Sequence, residues 1–162
     1  MTRIAFVCLG NICRSPTADV IVRHHLEQAG LDDVEVASSG TGDWHVGEPM
    51  DERSAARLAA AGYDPSGHRA RTFTVDWFDR HDLILTMDAA NRADVLALAR
   101  DDTDRAKVRM FRSFDPQAPS PDADVPDPWY GGPDTFDEVL GIIERTAHQI
   151  VRHLLDERAG RV

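Results

Sequence analysis

The chain has 162 residues, of which 42% are hydrophobic and 28% are charged, a length and balance typical of one globular domain spanning residues 1–162. Acidic residues outnumber basic ones, 28 to 18, and give a net charge of −10, which argues against a nucleic-acid-binding protein because such proteins present a basic face. No apolar run approaches the roughly 18 residues of a membrane span, and the first residues do not resemble a secretory signal, so membrane insertion is not expected.

The first apolar run leads into the most informative stretch of the chain. Ile4-Ala5-Phe6-Val7 predicts a strand, and a helical pattern begins at Pro16. Between them stands a Cys-x5-Arg-Ser spacing from Cys8 to Ser15, called the phosphate loop below. A turn of this length can aim successive backbone N–H groups at one phosphate, with the positive end of the next helix pointing to the same place. Thiols ionise readily beside arginine and at helix N-termini, so the stretch predicts a reactive cysteine at a phosphate site.

Other uses of this loop are less favoured. A Walker-type loop would end in Gly-Lys-Ser/Thr, which is missing here. A zinc site on Cys8 and Cys13 lacks a third cysteine and a nearby histidine. A merely buried, structural Cys8 would not need the residues that follow it. Gly10 and Asn11 tolerate the positive φ that a tight loop requires.

The rest of the chain alternates predicted strands and helices. Gly30 and Gly62 close two helices, and Asp88 is interpreted as an N-cap rather than as a residue that orients the site. The predicted strands are 4–7, 34–38, 82–87 and 108–111, and the predicted helices are 17–29, 51–61, 75–80, 88–98 and 134–157. This order predicts an α/β fold, a doubly wound three-layer sandwich around a central parallel sheet of about four strands. Ligands bind such sheets at the carboxyl ends of the strands, where Cys8 stands.

A glycine-rich loop, residues 39–47, follows the second strand. A dinucleotide fingerprint would need glycine at the position of His45, so cofactor binding of that kind is excluded. Trp44 in this loop is a candidate wall for a substrate pocket, and the alternative is that it only packs the loop onto the body. Among the seven histidines, His68 is expected to hold a loop by hydrogen bonds, and the others suggest no role.

A carboxylic acid is the simplest group that can protonate the oxygen leaving a phosphate ester. The proline-rich segment after the fourth strand ends in Asp127-Pro128-Trp129-Tyr130, an acid followed by two aromatic residues. Asp127 is therefore the predicted general acid, and a simple Asp-Pro turn is the alternative. Asp115 follows its strand too closely to reach the site. The remaining carboxylates of this region lack the aromatic pair: Asp122, Asp124 and Asp134.

These residues resemble the low-molecular-weight protein tyrosine phosphatases of bacterial type, and the resemblance covers nearly the whole chain. It implies that Cys8 is the nucleophile, Arg14 the phosphate clamp and Asp127 the general acid and base, with no metal and no cofactor. It also implies three larger sets: phosphate-binding residues Leu9, Gly10, Asn11, Ile12, Cys13, Arg14 and Ser15; substrate-pocket residues Trp44, Trp129 and Tyr130; and loop-supporting residues Ser38, Ser39 and His68.

The resemblance also sets expectations for partners and regulation. Phosphotyrosine proteins are the expected substrates, a bacterial tyrosine kinase is a candidate partner, and a monomer or weak dimer is expected. Two cysteines in a single loop suit a reducing compartment, so a cytoplasmic location is expected, with export without a signal peptide left open. Cys13 is a candidate for a reversible disulfide with oxidised Cys8. Trp129 stands where many members have tyrosine, which leaves substrate preference and control by tyrosine phosphorylation open.

Two alternative functions remain. An arsenate reductase of the same fold would need further cysteines, and the chain has none after Cys13. A catalytically silent phosphotyrosine-binding module is disfavoured because Cys8, Arg14 and Asp127 are all present.

Overall fold

A computed structural model describes residues 1–160, and the side chain of Tyr130 lies outside that description. Within these residues the strands are β1 (Thr2–Cys8), β2 (Val34–Gly40), β3 (Leu83–Thr86) and β4 (Val108–Met110). The helices are α1 (Arg14–Ala29), α2 (Glu52–Ala60), α3 (Trp77–Arg80), α4 (Ala89–Ala97), α5 (Asp102–Lys107) and α6 (Pro133–Arg158). Short 3-10 turns cover Phe111–Phe114 and Pro128–Tyr130.

The strands form one parallel sheet in the order β2-β1-β3-β4. β1 pairs along its whole length with β2, so that Cys8 lies opposite Gly40, and its other edge pairs with β3. The chain leaves β1 toward β2 and later crosses to β3 on the other side of β1. Ligands bind beyond the strand ends at such a reversal of order, and Cys8 is the last residue of β1.

Helices cover both faces of the sheet because successive side chains of β1 point in opposite directions. Ile4 and Phe6 belong to a buried cluster formed with α1 and α6. Ala5 and Val7 belong to a second cluster that contains residues of α3 and α4, among them Trp77, Phe78 and Val95. The predicted three-layer α/β sandwich is therefore confirmed.

The ends of the elements differ from those predicted, and one helix was not predicted. α1 begins at Arg14 and β2 continues to Gly40, so both reach into the phosphate site. α5 has no apolar stripe in its sequence, and local polar contacts hold it instead. The Asp101 side chain caps the Asp104 N–H at 2.9 Å, and Asp104 pairs with Arg100 at 2.8 Å.

Candidate active site

The phosphate loop is shaped by one strained residue and one close contact. Asn11 has a φ of 58° and is the only non-glycine residue with positive φ in the described part of the chain. Gly10, which would tolerate a positive φ, does not adopt one. At the end of β2, a Cβ atom on Gly40 would lie 2.6 Å from the Leu9 carbonyl oxygen and 3.0 Å from the Asn11 nitrogen. The loop therefore lies directly against β2, where only glycine leaves room.

The Cys8 thiol lies at the bottom of the loop. Its residue is only 2% exposed, and the Sγ atom lies 2.9 Å from the Ser15 hydroxyl oxygen. The backbone N–H of Asn11 donates to the same sulfur at 3.3 Å. These two polar contacts hold the sulfur in place at the floor of the site.

The side chain of Asn11 bonds within the loop and ties it to two neighbouring segments. Its Nδ2 donates to Ser15 Oγ at 2.8 Å and to Ser38 Oγ at 3.0 Å, and its Oδ1 accepts from the Arg71 N–H at 2.9 Å. The Asn11 carbonyl accepts from His68 Nε2 at 2.7 Å. Left-handed backbone costs on the order of 1–3 kcal/mol outside glycine, and these bonds hold Asn11 there.

The two remaining predicted support residues contribute in different ways. Burial lowers the pKa of His68, against the opposing effect of its bond to Asn11, so His68 supports the loop as a neutral donor. Ser39 contributes through its backbone: its carbonyl oxygen lies 3.3 Å from Ser15 Oγ and is the alternative acceptor to the Cys8 sulfur for the single hydrogen of that hydroxyl. The Ser39 hydroxyl is buried without a hydrogen-bond partner among the described residues.

Arg14, the first residue of α1, is buried beside the thiol. Its Nη1 donates to Asp88 Oδ2 at 2.7 Å and to the Val125 carbonyl at 3.1 Å, which uses both hydrogens of that nitrogen. Nη2 lies 3.5 Å from Asp127 Oδ2. Nε and Nη2 are therefore the donors left for an anion, and this edge of the guanidinium can bind two oxygens at once.

Asp127 stands in segment 125–131, called the acid loop below. Its Oδ1 accepts from the Trp129 N–H at 3.0 Å, which caps the 3-10 turn of that segment. The Val125 N–H donates to the Met87 carbonyl at 2.7 Å. The acid loop is thus attached to the end of β3 and brings Asp127 to within 3.5 Å of Arg14.

A cavity of about 220 Å³ joins these groups. Cys8 and Arg14 are buried, whereas Trp129 and Trp44 are 46% and 68% exposed, so the cavity runs from a polar floor to an aromatic mouth. Its lining consists of Cys8, Leu9, Gly10, Ile12, Cys13, Arg14, Trp44, His45, Asp127 and Trp129. Of the predicted pocket residues, Trp44 and Trp129 line the cavity, and the Tyr130 side chain lies outside the described residues.

Comparison with known proteins identifies the family. A family model described as "Low molecular weight phosphotyrosine protein phosphatase" matches residues 3–159. The chain belongs to this family. A low molecular weight protein-tyrosine-phosphatase of Streptomyces coelicolor is 45% identical over 160 residues, covering 98% of this chain and 97% of the relative. Protein-tyrosine phosphatase A of Mycobacterium tuberculosis is 42% identical over 98% of this chain and 94% of its own.

The structural comparison agrees with the sequence comparison. The crystal structure of YfkJ from Bacillus subtilis superposes with a TM-score of 0.88 at 32% identity, covering 97% of this chain and 96% of that one. The predicted family, the fold and the assignment to the protein-tyrosine-phosphatase hydrolases are therefore confirmed.

Three residues of this phosphatase site were missed or undervalued in the sequence. Asp88 caps α4, with Oδ1 accepting from Asn91 N at 2.8 Å, as predicted. Its Oδ2 also orients Arg14, the role that the sequence interpretation had set aside. His45 lines the cavity, and Gly40 leaves space for the loop. Gly40 could have been noticed in the sequence, because a glycine at the end of a strand often marks a place where another backbone approaches closely.

Cys13 also lines the cavity of this phosphatase. Burial, followed by the charge of Asp51, raises the pKa of the Cys13 thiol to about 12, so Cys13 stays protonated at neutral pH. The disulfide between Cys8 and Cys13 stays a prediction.

A larger groove of about 510 Å³ lies away from the thiol, between α1 and the segment after α2. Asp19, Arg23 and Arg69 are among its charged lining residues, and its lining residues His68 and Arg71 hydrogen-bond to Asn11 of the phosphate loop. Because both cysteines line the smaller cavity and neither lines this groove, the smaller cavity is the candidate active site.

Within residues 1–160 of this phosphatase, no group of three or more His, Cys, Asp or Glu side chains is placed to hold a metal ion. In the same part of the chain, no helix is both long and apolar enough to cross a membrane.

Proposed function

We propose that this phosphatase hydrolyses phosphotyrosine in proteins, and small aryl phosphates, through a phosphate ester of Cys8. The observation that carries the proposal is the convergence of three groups on one cavity: the Cys8 thiol, the Arg14 guanidinium and the Asp127 carboxyl. Each supplies a different need of phosphate ester cleavage, namely a nucleophile, a charge clamp and a proton donor.

In the first step the Cys8 thiolate attacks phosphorus, and an S–P bond forms as the P–O bond to the aryl oxygen breaks. Asp127 gives its proton to the departing oxygen. The loop amides and the free edge of Arg14 hold the equatorial oxygens of the phosphoryl group. Donors fixed in place for developing charge are worth roughly 3–4 kcal/mol each in comparable sites, so this term dominates the rate.

In the second step water attacks phosphorus and the S–P bond breaks. The Asp127 carboxylate, left by the first step, accepts the proton of that water. The Ser15 hydroxyl, 2.9 Å from the sulfur, donates to the leaving thiolate. The scheme uses no metal ion or cofactor.

The substrate class follows from the depth and lining of the cavity. The thiol is buried, and two indole rings stand at the mouth. An aryl phosphate can lie between these rings with its phosphate on the floor, and stacked aromatic groups attract each other by about 0.5–1.5 kcal/mol beyond their burial. Phosphoserine is shorter and lacks the ring. We therefore expect much faster hydrolysis of phosphotyrosine than of phosphoserine in matched peptides.

The decisive experiment measures hydrolysis of an aryl phosphate in excess EDTA. Cys8→Ser should abolish turnover, and Asp127→Asn should lower it about 100-fold or more, as expected for loss of a general acid. Asp124→Asn is the matched control, because Asp124 lies just before the acid loop, accepts from the Ala89 N–H and does not line the cavity. Full activity of Cys8→Ser would refute the scheme.

The same assay separates the alternatives. Binding of phosphotyrosine without turnover would indicate a binding module, and thiol-dependent reduction of arsenate would indicate a reductase. We further propose phosphotyrosine proteins as substrates, a bacterial tyrosine kinase as a partner and the cytoplasm as the location. A single domain acting as a monomer or weak dimer completes the proposal.

A further inference from the structure

Trp129 is held by side chains from two segments outside the acid loop. The guanidinium carbon of Arg53, in the first turn of α2, lies over the Trp129 ring at 5.2 Å from its centroid. The His45 ring lies 6.1 Å from the same indole, centroid to centroid. His45 lines the cavity, whereas Arg53 is absent from its lining. Arg53 therefore contacts the indole without facing the cavity.

Arg53 is itself fixed from both sides. Its guanidinium lies 4.6 Å from the ring centroid of Phe136, which is buried near the start of α6. Its Nε lies 3.5 Å from Asp51 Oδ2. Asp51 is the N-cap of α2, and its N–H donates to the Ile12 carbonyl at 2.9 Å. A short chain of contacts thus runs from the phosphate loop through Asp51 and Arg53 to Trp129.

The next contact in this chain reaches the acid. The backbone N–H of Trp129 donates to Asp127 Oδ1 at 3.0 Å. The position of the Trp129 backbone therefore affects the position of the Asp127 carboxyl. We infer that Arg53 is a positioning residue, which holds the acid loop through Trp129 so that Asp127 can protonate the leaving oxygen. The inference rests on the proposed role of Asp127.

The chemistry of the contact suits this task. A cation over an indole is held by the charge distribution of the ring, and tryptophan is the strongest aromatic partner for it. Arginine also stacks its flat guanidinium on a ring, which lysine cannot do. The side chain of Arg53 is 45% exposed, so the contact orients a loop rather than stabilising the core.

The test compares two substrates that differ in how much they need an acid. Phenyl phosphate releases a strongly basic oxygen, whereas p-nitrophenyl phosphate releases a weakly basic one. The measured quantity is kcat/KM, which reports the step in which that oxygen leaves. Arg53→Met should lower kcat/KM about three- to tenfold for phenyl phosphate and less than about twofold for p-nitrophenyl phosphate. Arg53→Lys keeps the positive charge, so its loss of kcat/KM for phenyl phosphate should be smaller than that of Arg53→Met.

Arg57→Gln is the matched control. Arg57 lies on the same helix and over the same Phe136 ring, at 5.3 Å, and pairs with Asp137 at 3.3 Å, but it has no contact with Trp129 among those described. Arg57→Gln should leave the ratio of kcat/KM for the two substrates unchanged. Thermal unfolding of each variant checks that the fold is retained, and Arg53→Lys carries the test if Arg53→Met is unstable.

A second measurement places Arg53→Met in an Asp127→Asn background. If Arg53 acts through the acid, its loss should cost nothing more there. The inference would be overturned if Arg53→Met lowered kcat/KM equally for both substrates, or if Arg57→Gln had a similar effect. It would also be overturned if Arg53→Met caused its full loss in the Asp127→Asn background. A loss confined to acidic phosphopeptides would also overturn it, because Arg53 would then contact the peptide. An inactive wild type, or an active Cys8→Ser, would instead refute the proposed function.

Discussion

Arg14 shows, at the residue scale, how neighbours determine the charge of a buried group. Burial alone would lower the pKa of its guanidinium, but the adjacent Cys8, Asp88 and Asp127 outweigh it and raise the pKa. Arg14 therefore stays charged at neutral pH. The carboxylates that keep it charged also fix its direction, and this is the basis of the first prediction.

Asp88→Asn should reduce activity far more than stability. Asparagine caps a helix about as well as aspartate, so α4 should persist. The Arg14 guanidinium would lose its 2.7 Å ionic contact, and small misplacements of catalytic groups can cost about 100-fold. We expect kcat/KM for an aryl phosphate to fall about 10- to 100-fold with little change in melting temperature. An unchanged rate would show that Val125 and the loop suffice to orient Arg14.

Gly40→Ala should displace the phosphate loop. The added Cβ would lie 2.6 Å from the Leu9 carbonyl oxygen. The atoms it would meet belong to the backbone of the phosphate loop, which cannot move aside without changing the loop. We expect kcat/KM to fall at least about 100-fold. Gly141→Ala is the control, because a Cβ on that residue of α6 meets nothing within 4 Å and should stabilise the helix by up to about 1 kcal/mol. Full activity of Gly40→Ala would contradict the close packing.

At the element scale, the contact between α1 and α6 contains a cluster of titratable side chains. The rings of His25 and His148 lie 4.1 Å apart, centroid to centroid, and His24 lies 5.3 Å from His25. The Tyr63 hydroxyl donates to Glu144 at 3.0 Å, and burial together with this bond raises the pKa of Tyr63 to about 12. No pattern in the sequence groups these residues.

We expect protonation of His25 in this cluster to lower the free energy of unfolding in acid. Burial, followed by the charges of His148 and His24, lowers the pKa of His25 below its ordinary 6.5, with Glu144 opposing. The unfolded chain therefore binds the proton more readily, so the contribution of His25 is present above pH 6.5 and declines as pH falls below it. Melting temperatures of His25→Gln should decrease less between pH 8 and pH 5 than those of wild type. Identical decreases would exclude His25 as a source.

A second element contact is a buried ionic cluster that joins the turn after β4 to α6. The Asp115 carboxyl is fully buried and pairs with Arg112 at 2.9 Å and Arg145 at 2.8 Å. Burial opposes its ionisation, but Arg145, the backbone N–H of Gln117 and Arg112 together outweigh it and lower the pKa of Asp115. This explains why Asp115 is unsuited to proton donation.

Asp115→Ala should destabilise the protein by about 3 kcal/mol, since removing one partner of a buried ion pair leaves the others without compensation. Denaturant unfolding would measure the change. Arg145→Met should cost less, because Arg112 remains with Asp115. Both variants should keep the kcat of wild type at 25 °C. A smaller cost for Asp115→Ala than for Arg145→Met would contradict this account of the cluster.

At the scale of the whole molecule, a net charge of −10 opposes the approach of an anionic substrate. Salt shortens the reach of this repulsion from about 30 Å at 0.01 M to about 10 Å at 0.1 M. We expect kcat/KM for a phosphopeptide with flanking glutamates to rise about two- to threefold over that range. A peptide with flanking lysines should show the reverse. Equal responses of the two peptides would show that only the local field of Arg14 matters.

The sequence alone predicted the strand, loop and helix around Cys8, because the residues of a phosphate loop are consecutive and their order determines the shape of the loop. It also predicted the alternating strands and helices, whose apolar patterns are local. Asp127 could be chosen because its partners Pro128 and Trp129 are its neighbours in the chain. α5 escaped prediction because polar caps, rather than an apolar stripe, hold it.

Only the tertiary structure decided which distant residues complete the site. Asp88 lies 74 positions from Arg14, and His68 lies 57 positions from Asn11. No periodicity in the chain records such contacts, because they arise where strand ends meet at one edge of the sheet. The same holds for Gly40, whose missing side chain matters only because another backbone occupies that space, and for Arg53, which reaches Asp127 only through Trp129.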